Sequence, residues 1–195
     1  MTRFRTIAMA IALCLLPINA HASSFVYNLD VMLSGGTVTG TITTDSDSGV
    51  LVTGNIVDYN LVLNDGSNTL NLLGPLSGNN SAVLIGGDAV TATAAALSYD
   101  FAMDSAYFAI QAFPLGSGGN FFCLNDPIAS CSAGGNSNVA AQIGNGSVFE
   151  GPPIDGVAVF ATAAVPPAVP EPSTIALVGT GVLGLMGMVR RRLSC

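Results

Sequence analysis

The sequence predicts an all-β domain over residues 23–164, a β-sandwich or a jelly roll, flanked by an apolar segment at each end of the chain. Residues 37–43 and 57–63 alternate apolar and polar side chains with a period of two, which is typical of half-buried strands. Turn residues separate such runs at short intervals, and an Asp-Gly pair at Asp65 and Gly66 is a hairpin signal. No helical pattern is long enough for a βαβ unit, which favours antiparallel sheets.

About ten strands are expected, in the order in which the pattern places them. The segment 92–97 has helical propensity, but Thr91, Thr93 and the flanking turns favour a strand. Residues 45–49 predict a further turn. The glycine-rich runs 116–119 and 134–138 are expected to be long loops rather than domain boundaries. The expected strands are 25–33, 37–43, 57–63, 69–73, 83–85, 89–96, 106–113, 120–124, 139–143 and 157–163.

Residues 1–22 are predicted to form a secretory signal peptide. Two arginines precede an apolar run at residues 7–16, and Ala20 and Ala22 give the small-x-small pattern of a cleavage site. An N-terminal membrane anchor is disfavoured, because about ten apolar residues are too few to span roughly 30 Å of hydrocarbon. We therefore expect cleavage before Ser23.

The predicted domain is purely anionic. All five basic side chains are arginines near the chain ends, and the single histidine, His21, lies in the signal peptide. All twelve acids fall between Asp30 and Glu171. Like charge repels nucleic acid and anionic membrane surfaces, so no nucleic-acid partner is expected.

The same composition excludes most kinds of catalytic site. Without His, Lys or Arg, residues 23–164 cannot build a Ser-His-Asp arrangement, a Schiff base, a phosphate clamp or a zinc site of His and Cys. Carboxylate chemistry and binding of hard cations remain. We expect no enzymatic activity and no cofactor.

Two carboxylate sites can still be considered. Asp45 and Asp47 are candidate Ca²⁺ ligands, although a solvated turn fits better, because the loop lacks the third acid and the glutamate of an EF-hand. Asp100 with Asp104, or Asp58 with another acid, would serve as a glycosidase pair only across a cleft. Tyr59, Tyr99 and Tyr107 could stack on sugars, but a tyrosine in a strand is more often packed in the core.

Cys123 and Cys131 are the two cysteines of the predicted domain. Export to an oxidising compartment favours a disulfide between them, which would pin a short loop and stabilise the domain by roughly 2–3 kcal/mol. A reactive pair is the alternative, but seven intervening residues are not a redox spacing.

The C-terminal 31 residues divide into three parts. Residues 165–172 are a proline-rich linker, for which an extended and solvated backbone is expected. Residues 173–189 carry no charge and are just long enough for a transmembrane helix. Residues 190–195 begin with the three basic residues of a cytoplasmic stop, Arg190, Arg191 and Arg192. A buried core helix is disfavoured, because the run is apolar on all faces and ends in three charges.

These three parts, in this order, resemble the PEP-CTERM sorting signal. Pro170, Glu171, Pro172 and Ser173 match its most characteristic positions. The resemblance implies a bacterial protein and a partner of the exosortase type, a membrane protease-transpeptidase acting at or near Pro-Glu-Pro. It also implies that the helix is a temporary anchor in the inner membrane, before delivery to the cell surface or the extracellular matrix.

The stretches 40–45, 55–66 and 74–81 are similar to a recurring domain type among PEP-CTERM proteins, which implies no known activity. Our leading hypothesis is therefore a structural or adhesive protein of an exopolysaccharide layer. A carbohydrate-binding module, with or without Ca²⁺ as a helper, is the alternative. A hydrolase that uses carboxylates alone is a third hypothesis.

Overall fold

The structure is a computed structural model that describes residues 24–103, 105–125, 139–146 and 148–164. These residues form thirteen strands and a short 3-10 helix at Thr53–Asn55. The strands are β1 (Phe25–Leu33), β2 (Gly36–Thr44), β3 (Gly49–Val50), β4 (Ile56–Asn64), β5 (Thr69–Leu73), β6 (Ser81–Gly86), β7 (Val90–Ala92), β8 (Ala96–Asp100), β9 (Tyr107–Ala112), β10 (Phe121–Leu124), β11 (Val139–Gln142), β12 (Phe149–Glu150) and β13 (Val157–Ala163).

The strands form two antiparallel sheets that share one core. The larger sheet has the order β3-β7-β8-β13-β1-β2-β4-β5, and the smaller one has the order β12-β11-β10-β9-β6. The inward side chains of both sheets belong to one cluster of buried residues, which includes Tyr27, Leu61, Phe108 and Phe122. The predicted all-β class is confirmed, and the two sheets around one core are consistent with a β-sandwich.

Period-two alternation places the core residues as the sequence predicts in most of β4. Tyr59, Leu61 and Leu63 are at most 1% exposed. Val57 was expected on the same face, and this is wrong: Val57 is 37% exposed, and its neighbour Ile56 is buried instead. The register with β2 shifts here, because Thr43 pairs with Asp58 but Thr44 pairs with Ile56. The extra residue of this β-bulge reverses which side chains point inward.

The expected strand over residues 89–96 is also wrong, because a tight turn divides it into β7 and the start of β8. The hydroxyl of Thr93 accepts hydrogen bonds from the amides of Ala95 (3.3 Å) and Ala96 (3.0 Å). The amide of Thr93 donates to the carbonyl of Ala96 at 2.9 Å, which closes the hairpin. A threonine that bonds to the backbone of the next residues is a common turn element.

The chain enters the first strand and leaves the last one at the same end of the larger sheet. β1 and β13 are antiparallel neighbours, with Tyr27 opposite Ala163. Phe25, at the start of β1, pairs with Thr44 at the end of β2. The Ser34–Gly35 turn between β1 and β2 and the turn between β4 and β5 therefore lie at the opposite end.

Several predictions fall outside the described residues. They are the signal peptide with Ala20, Ala22 and Ser23, the linker, the apolar helix with its arginines, and the residues Asp104 and Cys131. Within the described ranges, no helix has the length and apolar character that a membrane crossing needs.

Candidate functional site

The Ca²⁺ candidates lie in the turn after β2, where backbone and side chains already pair with each other. Asp45 Oδ1 accepts a hydrogen bond from Asn55 Nδ2 at 2.9 Å. Thr44 Oγ1 donates to the carbonyl of Ser46 at 2.6 Å, and Ser46 Oγ donates to that of Ser48 at 2.9 Å. Across the described ranges, no three His, Cys, Asp or Glu side chains come together as a metal site would need. These hydrogen bonds within the turn and to Asn55 fix the conformation of the turn.

Asp58 holds the loop that follows β5. Its carboxylate accepts hydrogen bonds from Ser77 Oγ and from the amide of Leu76, the latter at 3.1 Å. A side chain at Gly74 would come within 2.5 Å of Asp58 Oδ1 and 2.6 Å of the amide nitrogen of Tyr59. The loop can approach β4 this closely only because residue 74 is glycine. Asp58 therefore acts here as a cap for the loop, and its oxygens are engaged.

The three stretches 40–45, 55–66 and 74–81 meet at one edge of the larger sheet. Asp45 and Asn55 join the first stretch to the second. Asp58 and the loop that begins at Gly74 join the second to the third, and the hydroxyls of Tyr59 and Ser81 are hydrogen-bonded at 3.2 Å. These polar residues are thus engaged in holding turns and a loop in place.

Hydrogen bonds within its own turn perturb the titration of Asp65. Its Oδ1 accepts hydrogen bonds from the amides of Ser67 (2.8 Å) and Asn68 (2.6 Å), and its Oδ2 accepts one from Asn68 Nδ2 (3.0 Å). These bonds favour the ionised form and lower the pKa of Asp65 below its usual value, the side-chain bond from Asn68 most of all. Asp65 is therefore a carboxylate at neutral pH.

A polar cavity of about 300 Å³ lies beside this turn. Its walls come from both hairpin turns at that end of the sandwich and from β12. No local sequence pattern predicts this cavity, because it forms only when strands that are distant in sequence pair. The lining residues are Ser34, Gly35, Asp65, Ser67, Asn68, Val148 and Phe149.

A second cavity, of about 280 Å³ and mainly apolar, opens between β1 and β13. These strands pair only from Tyr27 to Leu29, and the residues beyond that point in β1 help to line the cavity. The side chains of Met32 and Val159 at its mouth are 80% and 58% exposed. Phe101, Leu124 and Phe160 are among its inner walls.

Among the described residues, most of the remaining candidates form hydrogen bonds within a turn or pack in the core. Asp100 Oδ1 accepts a hydrogen bond from the amide of Ala102 at 3.0 Å, and Asp104 lies outside the described residues. Tyr59 and Tyr99 are at most 1% exposed, so they pack in the core as expected and cannot stack on a sugar. Burial raises the pKa of Tyr59 above its usual value.

Cys123 lies in β10 and is 2% exposed. It belongs to a small cluster on the outer face of the smaller sheet, with Ala109, Phe121 and Ala140. Its predicted partner, Cys131, lies outside the described residues, so the disulfide stays a prediction.

Comparison with known families gives a match that falls on the tail. Residues 168–192 match the family described as the PEP-CTERM protein-sorting motif. The chain carries a PEP-CTERM sorting motif. No match is found among curated proteins or among solved structures.

The PEP-CTERM motif covers Pro170, Glu171, Pro172 and Ser173 as well as Arg190, Arg191 and Arg192. It indicates a protein that is sorted to the cell surface by way of an exosortase. The sequence reveals this site because the motif is linear. The two cavities are not visible in the sequence, because they depend on the pairing of distant strands.

Proposed function

We propose that this chain is a non-enzymatic protein of the bacterial cell surface or extracellular matrix, with a structural or adhesive role in an exopolysaccharide layer. On this proposal a signal peptide directs export and cleavage precedes Ser23. The apolar run 173–189 anchors the chain in the inner membrane until an exosortase acts near Pro-Glu-Pro. The observation that carries the proposal is the sorting motif at residues 168–192.

The domain itself supports a structural role. It has no basic side chain from residue 24 to residue 164. The carboxylates of Asp45, Asp58 and Asp65 accept hydrogen bonds from neighbouring turns and loops, which is how structural carboxylates are used. A general acid or base would instead point into a cleft with a free oxygen.

The place where the chain leaves the domain supports processing near Pro-Glu-Pro. β13 ends at Ala163, so six residues, 164–169, separate its end from Pro170. An extended chain rises about 3.1 Å per residue, so a linker of this length has a maximum reach of roughly 20 Å. Such a reach would let a membrane protease act at the motif without unfolding the domain.

The intact mass of the protein recovered from the cell surface tests this proposal. We expect a species that begins at Ser23 and has lost residues 190–195. The variant Glu171→Ala should keep the arginines and stay in the membrane fraction. Glu150→Ala, which removes the only other glutamate of the chain, is the matched control and should be processed normally.

Two results would contradict the proposal. A wild-type surface species that still contains Arg190–Arg192 would mean that the tail is a lasting anchor. Normal processing of Glu171→Ala would mean that Pro-Glu-Pro is not what the protease recognises. Additional mass on the new C-terminus would support the proposal and identify transfer to a surface molecule.

A further inference from the structure

The outward-facing side of the larger sheet carries a regular array of hydroxyl and amide groups. We call the outward positions of β1, β2, β4 and β5 the Thr/Asn face. Thr37, Thr39, Thr41 and Thr43 all point outward from β2, since the alternate residues Val38 and Ile42 are fully buried. Eleven of the sixteen outward positions on these strands are Thr, Asn or Asp, and the others are Val26, Met32, Val57, Val62 and Leu73.

The polar groups of this face line up across the strands. Asn28 of β1 pairs with Thr41 of β2, and Thr41 pairs with Asn60 of β4, which makes a continuous polar row across three strands. Such rows recur about every 6.6–6.8 Å along a strand, and neighbours across the strands are about 4.8 Å apart. The array therefore repeats in two directions.

Seven of the polar groups in this array are available for binding. Among the described residues, the side chains of Asn28, Asn60, Asn71 and the four outward threonines of β2 have no hydrogen-bond partner within the domain. Asn28, Asn60 and Asn71 are exposed. Each amide offers two donor hydrogens and an acceptor oxygen, and each hydroxyl offers one donor and two acceptor sites.

Charge decides which ligands this face can accept. From residue 24 to residue 164 there are only acidic ionisable side chains, so an anionic polymer is repelled. A protein partner is also disfavoured, because the cores of protein interfaces are enriched in aromatic residues, Met and Arg. The Thr/Asn face has no aromatic residue and no Arg, and only Met32 belongs to that class.

We propose that the Thr/Asn face binds an extended, neutral polysaccharide through hydrogen bonds from its threonine and asparagine side chains. A chain of repeating hydroxyl groups can pair with donors and acceptors that themselves repeat along and across the strands. Binding needs no metal ion, because a neutral polymer has no charge that a cation would have to bridge to the acidic residues of the domain. This inference rests on the proposed location in an exopolysaccharide layer, and it identifies the class of polymer and the surface.

Binding is tested with the full chain, tail included, purified in mild detergent, so the result does not depend on whether sorting occurs. Three neutral polymers serve as probes: insoluble cellulose, insoluble β-1,3-glucan and soluble dextran. We expect co-sedimentation with at least one insoluble polymer, or retarded migration in a gel that contains dextran. Binding should be unchanged between 50 and 500 mM NaCl and in the presence of EDTA.

The double variant T41A/N60A removes two adjacent groups from the central row. The loss of two hydrogen bonds should weaken binding about tenfold. The matched control is S117A/N145A, which removes the same kinds of groups from exposed loops of the smaller sheet. A melting curve for each variant shows whether the fold is kept, and T39A replaces T41A if the first variant melts early.

The outcomes separate this inference from the proposed function. The inference would be overturned if the protein bound none of the three neutral polymers. It would also be overturned if both double variants weakened binding equally, or if EDTA abolished binding. Self-association that T41A/N60A abolishes, without glycan binding, would overturn it in favour of a second copy as the partner. None of these results would alter the processing test, which alone decides the sorting proposal.

Discussion

Gly40 occupies the middle of β2, in a run of alternating Thr and apolar residues that reads as an ordinary strand. A Cβ at this position would lie 2.0 Å from the carbonyl oxygen of Asn60 and 2.9 Å from the Cα of Leu61. Its φ is +140°, which L side chains rarely adopt. β2 and β4 can therefore pair at this point only if residue 40 has no side chain.

We expect Gly40→Ala to destabilise the domain by about 3 kcal/mol or more, because the clashing atoms belong to the backbone of β4 and cannot rotate away. Gly54→Ala is the control, since a Cβ there meets nothing within 4 Å. It should be neutral or slightly stabilising. Urea denaturation of both variants measures the difference, and equal midpoints would show that β2 and β4 are not paired in this register.

A second prediction at the scale of a single residue concerns Asp65. Its pKa is lowered in the folded state by hydrogen bonds from Asn68 and Ser67. A lowered folded-state pKa gives stability that is present above the unfolded-state pKa, about 3.9, and is lost as the pH falls through the folded-state value. Asp65→Asn should therefore lose less stability than the wild type when the pH falls from 7 to 3.

The denaturation midpoint at pH 7 and at pH 3 measures this effect. Asp155→Asn is the matched control, because Asp155 is exposed and its carboxylate accepts no hydrogen bond from the described residues. In 0.5 M NaCl, which screens the repulsion between carboxylates, its acid-induced loss should equal that of the wild type. If Asp65→Asn loses as much stability between pH 7 and pH 3 as Asp155→Asn does, then the turn does not hydrogen-bond to the Asp65 carboxylate in solution.

At the scale of the element, a strand can be predicted from the sequence when its own residues carry the pattern that is typical of a strand. β5 and β13 match the expected ranges to the residue, because each has a clear apolar run between turns. β3 and β12 have two residues each and exist only through partners, β7 and β11, that lie elsewhere in the chain. No local pattern can predict such strands.

The same distinction applies to the candidate sites. The sorting motif is contiguous, so its residues could be named from the sequence. The Thr/Asn face needs the register of Asn28 with Thr41 and of Thr41 with Asn60, which only the pairing of β1, β2 and β4 supplies. The sequence shows the alternating threonines at residues 37–43, but it does not show which residues pair with them across the sheet.

We predict a disulfide between Cys123 of β10 and Cys131, which follows it in the chain. Cys131→Ser should lower the stability by roughly 2–3 kcal/mol, because the unfolded chain regains the freedom that the closed loop removes. The exported protein is alkylated with and without prior reduction, and its mass is compared. We expect alkylation of both cysteines only after reduction. Alkylation of both without reduction would show that the pair is not bonded.

At the scale of the whole molecule, the domain has no attractive ion pairs between side chains to oppose its repulsions. Eleven of the twelve acids lie between Asp30 and Asp155, and no basic side chain lies among them. Folding brings these carboxylates closer together than they are in the unfolded chain. The repulsion is a cost that salt can screen, since the Debye length falls from about 30 Å at 0.01 M to about 10 Å at 0.1 M.

We therefore expect the melting temperature at pH 7 to rise with NaCl between 0.01 and 0.3 M. If screening removes about 1–2 kcal/mol of repulsion, the rise for a domain of this size is about 3–6 °C. Asp155→Asn, which removes one charge without breaking a hydrogen bond, should raise the melting temperature at low salt and reduce the slope. A melting temperature that stays constant or falls with NaCl would mean that the carboxylates are far enough apart not to interact. The stability of the domain would then be set by its apolar core alone.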